Sequence, residues 1–115
     1  MTDRFIRFDK EGVEPEAGAP AKEKVTSGRP TNRSWNLEDD GNGLYAGIWE
    51  STAGEWLVDY SEWEFFHIIE GVSILTEEGG EPVKLKAGDS FVIRPGFKGR
   101  WRVVEPTKKH YVIKT

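Results

Sequence analysis

The stretch Glu64-Phe-Phe-His-Ile-Ile-Glu-Gly71, together with Gly88-Asp-Ser-Phe-Val-Ile-Arg-Pro-Gly96, decides the fold of this chain. Each stretch contains a short run of aromatic and β-branched residues, which favours a β-strand. Each also carries a glycine where the chain can turn, or approach another backbone, without the obstruction of a side chain. Asp89 could accept hydrogen bonds from nearby amides and brace the turn before its strand. The two stretches therefore indicate strands bounded by tight turns.

The chain from residue 44 onwards continues this pattern of strands and turns. Short alternating apolar runs recur at a spacing of roughly 8 to 12 residues, which is typical of a β-sandwich or β-barrel. No long window carries the apolar stripe of a helix. We therefore predict an all-β barrel domain over residues 44–115. The predicted strands cover residues 44–50, 55–60, 64–70, 72–76, 82–85, 90–94, 99–104 and 109–113.

Residues 1–43 are expected to form an extended N-terminal arm. Residues 9–33 are polar, contain several prolines and keep no regular apolar period. Residues 5–8, Phe-Ile-Arg-Phe, could form a short strand. An arm of this kind commonly lies across its own barrel or across that of a partner.

Composition excludes several kinds of site and location. The chain has 115 residues and a net charge of -4, which fits one small domain. It has no cysteine, which excludes disulfides, thiol nucleophiles and cysteine-bound metals. No apolar run approaches the roughly 18 residues of a membrane helix, and the N-terminus lacks the apolar core of a signal peptide. We therefore expect a cytoplasmic protein without a membrane partner.

The charges are segregated along the chain. Residues 1–33 carry 7 basic and 6 acidic side chains, residues 34–83 carry 12 acidic and no basic ones, and residues 84–115 carry 9 basic and 2 acidic ones. Opposite charges on neighbouring strands stabilise pairing modestly, so we expect the acidic and basic segments to face each other in the sheet. The alternative is nucleic-acid binding by the basic segment. We predict no nucleic-acid partner, because the acidic segment must lie within the same small globule.

The two opening stretches resemble the two sequence motifs of the cupin superfamily, in which a jelly-roll barrel is formed. The six residues between Glu64 and Gly71 match the spacing of the first motif, and Gly88-Asp89 followed by Pro95-Gly96 is similar to the second. A wider pattern is similar to the small one-domain cupins grouped with (S)-ureidoglycine aminohydrolase, which have an RmlC-like jelly roll. It consists of Gly47-Ile-Trp-Glu50, Gly54, Asp59-Tyr60, Glu64, Glu70-Gly71, Gly88-Asp89, Pro95-Gly-Phe-Lys98, Trp101, Lys109 and Tyr111.

The resemblance implies a place for a divalent metal, held in cupins by three histidines and a glutamate. Those positions fall here at Val58, Tyr60, Glu64 and Gly99, so only the glutamate is kept. A carboxylate and a phenol make a poor metal site, because imidazoles normally supply the affinity. His67 lies three residues after Glu64 and faces outward by the alternation of a strand. We therefore predict no bound metal and no other cofactor.

The same alternation defines a candidate ligand-binding set inside the barrel. Its members are Trp56, Val58, Tyr60, Glu64, Phe66, Gly99 and Trp101. Gly99 would leave the volume of a ring open unless neighbouring aromatic side chains fill it. Aromatic walls with few polar groups are found both in small-molecule pockets and in plain cores. Glu64 favours a pocket, because a buried carboxylate must be paired or hydrogen-bonded, and Tyr60 is its natural partner.

Three functions remain open from the sequence. The first is metal-independent binding of a small anionic or nitrogen-containing metabolite. The second is an enzyme, either similar to (S)-ureidoglycine aminohydrolase or an isomerase, with Glu64 as catalytic base and Tyr60 as catalytic acid. The third is a purely structural dimer. The absence of the histidine ligands favours binding over catalysis.

A homodimer built by the outer sheet of the barrel and the N-terminal arm is also predicted, from the residues on the opposite face of the Glu64 strand. Phe65, His67 and Ile69 form an apolar stripe there. An uncovered patch of this kind is unusual on a monomer.

Overall fold

The chain folds into nine strands and no α-helix within residues 2–115, the part that the computed structural model describes. The all-β prediction is therefore confirmed. A turn of 3-10 helix (Lys22–Lys24) precedes the second strand. No helix in this part of the chain has the length and apolar character needed to cross a bilayer. The strands are β1 (Glu16–Gly18), β2 (Val25–Gly28), β3 (Asn32–Asp39), β4 (Leu44–Ser51), β5 (Gly54–Asp59), β6 (Trp63–Glu77), β7 (Pro82–Lys86), β8 (Ser90–Ile93) and β9 (Lys98–Lys114).

The two long strands, β6 and β9, organise the sheet. They pair with each other antiparallel along most of their length. The first half of β9 also pairs with β5, and its second half pairs with β4. The sheet order is β1-β3-β4-β9-β5-β2, and β6 additionally carries β7 and β8. Because each long strand changes partners midway, the sheet curls around one apolar interior.

Each long strand replaces two shorter ones in the prediction. The sequence indicates a break at Gly71, but β6 continues through this residue with shifts in its register against β9. Gly71 has φ +90°, and a Cβ atom there would lie 2.0 Å from the carbonyl oxygen of Pro106. The predicted close backbone approach at Gly71 is therefore confirmed, while the predicted end of the strand is wrong. The glycine marks a β-bulge inside a strand rather than a turn.

The segment predicted as an arm contributes strands to the sheet. The strands β1, β2 and β3 all lie before residue 44, and β3 pairs with β4 along its length. Polar residues dominate β3, and only Trp35 in it is buried, so its apolar alternation is weak. The strand considered at residues 5–8 is not formed. Phe8 instead packs its ring edge-on against His110, with centroids 4.9 Å apart.

The core lies on the inner face of the two long strands. Phe66 and Ile68 of β6 are fully buried, and Trp101 and Val103 of β9 are nearly so. These residues alternate with exposed or half-buried neighbours, which confirms the predicted inward direction for this part of the barrel.

Opposite charges face each other across the sheet, as the segregation along the chain predicts. Lys108 lies 3.8 Å from Glu50 and 3.4 Å from Glu70, and Lys109 lies 2.8 Å from Glu64. Each of these ion pairs joins the acidic segment 34–83 to the basic segment 84–115. The segregation therefore stabilises contacts between strands that are distant in sequence.

Candidate functional site

The barrel interior contains a buried ion pair between β6 and β9. Lys109 Nζ donates a hydrogen bond to Glu64 Oε2 at 2.8 Å, and the two side chains are only 7% and 4% exposed. Alternation along the strands turns both inward, Glu64 beside Phe66 and Lys109 between Thr107 and Tyr111. A charged group is costly to bury alone, so each of these residues depends on the other.

Three aromatic rings, Trp49, Phe66 and Trp101, surround the ammonium group of Lys109. We refer to them as the three-ring cage. Lys109 Nζ lies 4.8 Å from the ring centroids of Trp49 and Phe66 and 4.5 Å from that of Trp101. The face of an aromatic ring attracts a cation within about 6 Å. The cage therefore stabilises the charged form of Lys109 in an otherwise apolar interior.

The orientation of the cage is fixed by its own contacts. Trp101 packs against Trp49 with centroids 5.7 Å apart and against Phe66 with centroids 5.4 Å apart. Trp101 Nε1 also donates a hydrogen bond to Ser73 Oγ at 3.1 Å, and Ser73 in turn bonds to Thr107 Oγ1. These buried hydrogen bonds hold the indole ring in place under Lys109.

Two cavities reach the ion pair from different sides. The Trp56 cavity has a volume of about 360 Å³ and is lined by Trp56, Tyr60 and the arm residues 19–21, among others. The Tyr111 cavity has a volume of about 510 Å³ and is bordered by Tyr111 and Tyr45. Trp49, Glu64 and Lys109 line both. Residues 19–21 therefore lie at the edge of the Trp56 cavity, and the ion pair lies between the two cavities.

The structure brings most of the predicted ligand-binding residues to the Trp56 cavity. The members of the predicted set that line this cavity are Trp56, Val58, Tyr60, Glu64 and Trp101. Phe66 lies behind them in the three-ring cage.

Gly99 has a different position from the one expected. It borders a separate surface cavity, and a Cβ atom there would lie 2.0 Å from the carbonyl oxygen of Thr76. The backbone of β6, rather than open space or an aromatic ring, fills the volume of the missing side chain.

The expected hydrogen bond between Tyr60 and Glu64 is absent from the described residues, and Lys109 takes its place. Tyr60 packs edge-on against Phe97, with ring centroids 5.9 Å apart. Burial, and then the negative charges of Glu64 and Glu62, raise the pKa of the Tyr60 phenol far above its usual range. Tyr60 therefore keeps its proton at neutral pH and can act as a donor in the cavity.

Lys109, Trp49 and Tyr111 are site residues that the sequence reasoning missed. Tyr111 Oη donates a hydrogen bond to Asn36 Oδ1 at 3.0 Å. Burial, followed by the charges of Glu64 and Glu16, raises its pKa to about 12. All three belong to the wider family pattern of the sequence, and the period of two places Lys109 on the same face as Tyr111, where the structure buries both.

The residues of the barrel do not fit the divalent metal that the cupin resemblance implies. Val58 and Gly99 supply no donor, and Glu64 is already bonded to the ammonium group of Lys109. A second cation beside that ammonium would be repelled. His67 faces outward, as predicted, where its Nδ1 lies 2.6 Å from Ser90 Oγ. Within residues 2–115, no group of three or more histidine, cysteine or acidic side chains could hold a metal ion.

Solved structures with the same architecture agree with this fold. A protein of unknown function from Pseudomonas syringae pv. tomato superposes with a TM-score of 0.81 and 27% identity, over 93% of this chain and 46% of that chain. This chain therefore spans just under half the length of that relative. A predicted oxalate decarboxylase from Thermotoga maritima has a TM-score of 0.71 and 15% identity, over 95% of this chain and 98% of that one.

The EutQ protein of Clostridium difficile has the same fold, with a TM-score of 0.66 and 18% identity, over 74% of this chain and 68% of that one. No curated protein matches the sequence significantly. The sequence-family model of the EutQ-like cupin domain matches residues 38–111, which cover most of the barrel. The chain therefore belongs to the family of EutQ-like cupin domains, and its fold is a cupin jelly roll.

Proposed function

We propose that the barrel binds a small anionic or nitrogen-containing metabolite without a metal. The observation that carries this proposal is the buried Lys109–Glu64 pair, which lines both interior cavities. An ion pair buried only for stability is often no better than apolar side chains of the same volume. A pair that faces a cavity can orient a polar ligand, which gives it a role that apolar side chains could not fill.

The composition of the cavity walls supports a small ligand. Trp49, Trp56 and Trp101 supply apolar surface, while Tyr60 supplies a protonated hydroxyl. A volume of about 360 Å³ lies at the lower end of the range for small-molecule pockets, which is roughly 300–1,000 Å³. The tryptophan rings would contact the apolar part of the ligand, and the polar side chains of the lining would fix its orientation.

A second candidate is catalysis in the same cavity. Tyr60 and Glu64 both line the Trp56 cavity, and the Tyr60 phenol is protonated at neutral pH, although burial and the nearby carboxylates raise its pKa and so make it a weaker acid. In a reaction similar to that of (S)-ureidoglycine aminohydrolase, or in an isomerisation, Glu64 would accept a proton and Tyr60 would donate one. Lys109 would compete with any substrate proton for Glu64, which favours binding as the first function.

A thermal-shift screen tests the binding proposal. The panel contains small carboxylates, amines and ureido compounds, and each is applied to the wild type and to Val58→Trp. A compound that binds only the folded state raises the melting temperature, and the rise grows with its concentration. We expect some members of the panel to stabilise the wild type. The indole ring in Val58→Trp would fill the Trp56 cavity and abolish this stabilisation.

The control for this screen is Val104→Trp, because Val104 is 47% exposed on the outer side of the same sheet. Val104→Trp should respond to the compounds as the wild type does. Responses that survive in Val58→Trp would place binding outside the Trp56 cavity. A panel without any stabilising compound would contradict the proposal and favour the structural dimer. Turnover of a stabilising compound would favour the enzyme.

A further inference from the structure

We infer that Lys109 serves as the cation of this barrel in place of a metal ion, and that it binds the carboxylate of a ligand that also carries an N–H donor. The inference deepens the proposed function and rests on it. It assigns a residue to recognise the carboxylate, Lys109, and a residue to recognise the N–H group, Glu64. It thereby narrows the ligand to small amino or acylamino carboxylates.

The ammonium group of Lys109 has unused hydrogen-bonding capacity. An ammonium has three N–H donors, and the bond to Glu64 Oε2 uses one of them. The described residues offer Lys109 no second oxygen acceptor. The rings of the three-ring cage attract the charge, but they do not replace an oxygen acceptor for each N–H. A carboxylate in the adjoining cavity would supply the missing acceptors and form charge-assisted hydrogen bonds.

The carboxylate of Glu64 is likewise only partly used. Its Oε2 atom accepts from Lys109, and Oε1 has no partner within the described residues. No buried side-chain nitrogen or oxygen in this part of the chain lacks a hydrogen-bond partner, so Oε1 must be open to a cavity. An open carboxylate oxygen accepts an N–H group. The ligand therefore meets a donor, Lys109 Nζ, and an acceptor, Glu64 Oε1, on two side chains that are joined by the hydrogen bond of 2.8 Å between Nζ and Oε2.

The charges around the cavities favour a ligand with both groups over a simple anion. Glu14 and Glu16 border the Tyr111 cavity, while Asp59 and Glu62 outnumber Lys24 at the Trp56 cavity. This negative surrounding opposes the entry of a plain carboxylate. An amino group on the ligand offsets that repulsion, whereas an acylamino group leaves the single negative charge and is favoured only through the N–H group that it donates to Glu64. The site thus selects for nitrogen beside the carboxylate.

Calorimetric titration with three related probes tests the inference. N-Acetylglycine carries both groups, propionate lacks the N–H group, and N-acetylglycinamide lacks the carboxylate. We expect wild-type protein to bind N-acetylglycine roughly 10-fold or more tightly than either of the others, because each of them leaves one charged group without its partner. Glu64→Gln should reduce the preference for N-acetylglycine over propionate.

The decisive variant is Glu64→Gln/Lys109→Met, which removes both charges together and so leaves no unpaired charge in the core. Its fold is checked by circular dichroism, and it should bind N-acetylglycine and N-acetylglycinamide equally. Equal binding of acid and amide by the wild type would overturn the inference alone, because the pocket would still bind ligands. Failure of all three probes to bind the wild type, together with an unresponsive thermal-shift panel, would overturn the proposed function as well.

Discussion

Residue 109 carries a lysine at a position where an apolar side chain would avoid the cost of burying a charge. The side chain is 7% exposed, and its charge is balanced by Glu64 and by the rings of the three-ring cage. Removing one partner leaves the other charged and buried, which is far more costly than removing both. The stability of the domain therefore depends on the two residues as a unit rather than on either one.

A double-mutant cycle measures this dependence. We expect Lys109→Met to lower the free energy of unfolding by about 3–5 kcal/mol, because it leaves the Glu64 carboxylate unpaired. Glu64→Gln should cost less, since the amide oxygen can still accept from Lys109. Glu64→Gln/Lys109→Met should cost clearly less than the sum of the two single substitutions, because it removes both charges together. Urea unfolding of the wild type, the two single variants and the double variant gives the coupling free energy between the two side chains.

The cycle has an internal control in the partly exposed pair of Lys108 and Glu70. Their side chains are 22% and 68% exposed, so removal of either should change stability by less than about 1 kcal/mol. Strictly additive effects of the two substitutions at positions 64 and 109 would show that the ion pair does not act as a unit.

At the scale of the strands, the sequence predicts which way a side chain points better than it predicts where a strand ends or which strand it pairs with. The inward positions of Trp56, Glu64 and Trp101 follow from the period of two within a strand, which leaves little freedom. The lengths of β6 and β9 do not follow, because a glycine such as Gly71 can mark either a turn or a bulge. The contact of Glu64 with Lys109 joins residues 45 positions apart. It depends on the register between two strands, which no local pattern specifies.

The close approach of the paired strands β6 and β9 at Gly99 gives a prediction for these strands. A Cβ atom at Gly99 would lie 2.0 Å from the backbone oxygen of Thr76, and a backbone atom cannot move away as a flexible side chain can. Gly99→Ala should therefore lower the free energy of unfolding by about 1–3 kcal/mol, as overpacking usually does. Denaturant unfolding measures this change. Gly99→His should be at least as destabilising and should not create a metal site.

Gly80→Ala is the matched control for this substitution. A Cβ atom there would lie 3.3 Å from the carbonyl oxygen of Glu77, which is tight but far less severe than 2.0 Å, and Gly80 has no positive φ. Gly80→Ala should therefore cost clearly less stability than Gly99→Ala. Equal effects of the two alanines would mean that the close approach of β6 and β9 is not what requires glycine at position 99.

At the scale of the whole molecule, the outer face of the β8-β6-β9 region carries apolar side chains that residues 2–115 leave partly uncovered. Phe65, His67 and Ile69 are half-buried on this face. Val92 of β8 lies beside Phe65 in the sheet and is 47% exposed. Apolar side chains grouped on one face commonly mark an interface in soluble proteins. The barrel interior and this face lie on opposite sides of β6, so assembly and ligand binding can be tested separately.

We expect the protein to form a homodimer through this outer face. Sedimentation equilibrium at micromolar concentration should give twice the chain mass of 13.0 kDa. Val92→Glu should give monomers, because two copies of a buried, unpaired carboxylate would face the interface. Val104→Glu is the matched control, since Val104 is also 47% exposed but directly follows the part of β9 that pairs with β5, away from the part that pairs with Phe65 and His67. It should leave the dimer intact. A wild-type mass of 13.0 kDa, or equal loss of the dimer in both variants, would contradict this assignment.

Because Val92 faces away from the barrel, a monomeric Val92→Glu variant that still binds ligand would also show that the pocket is complete within one chain.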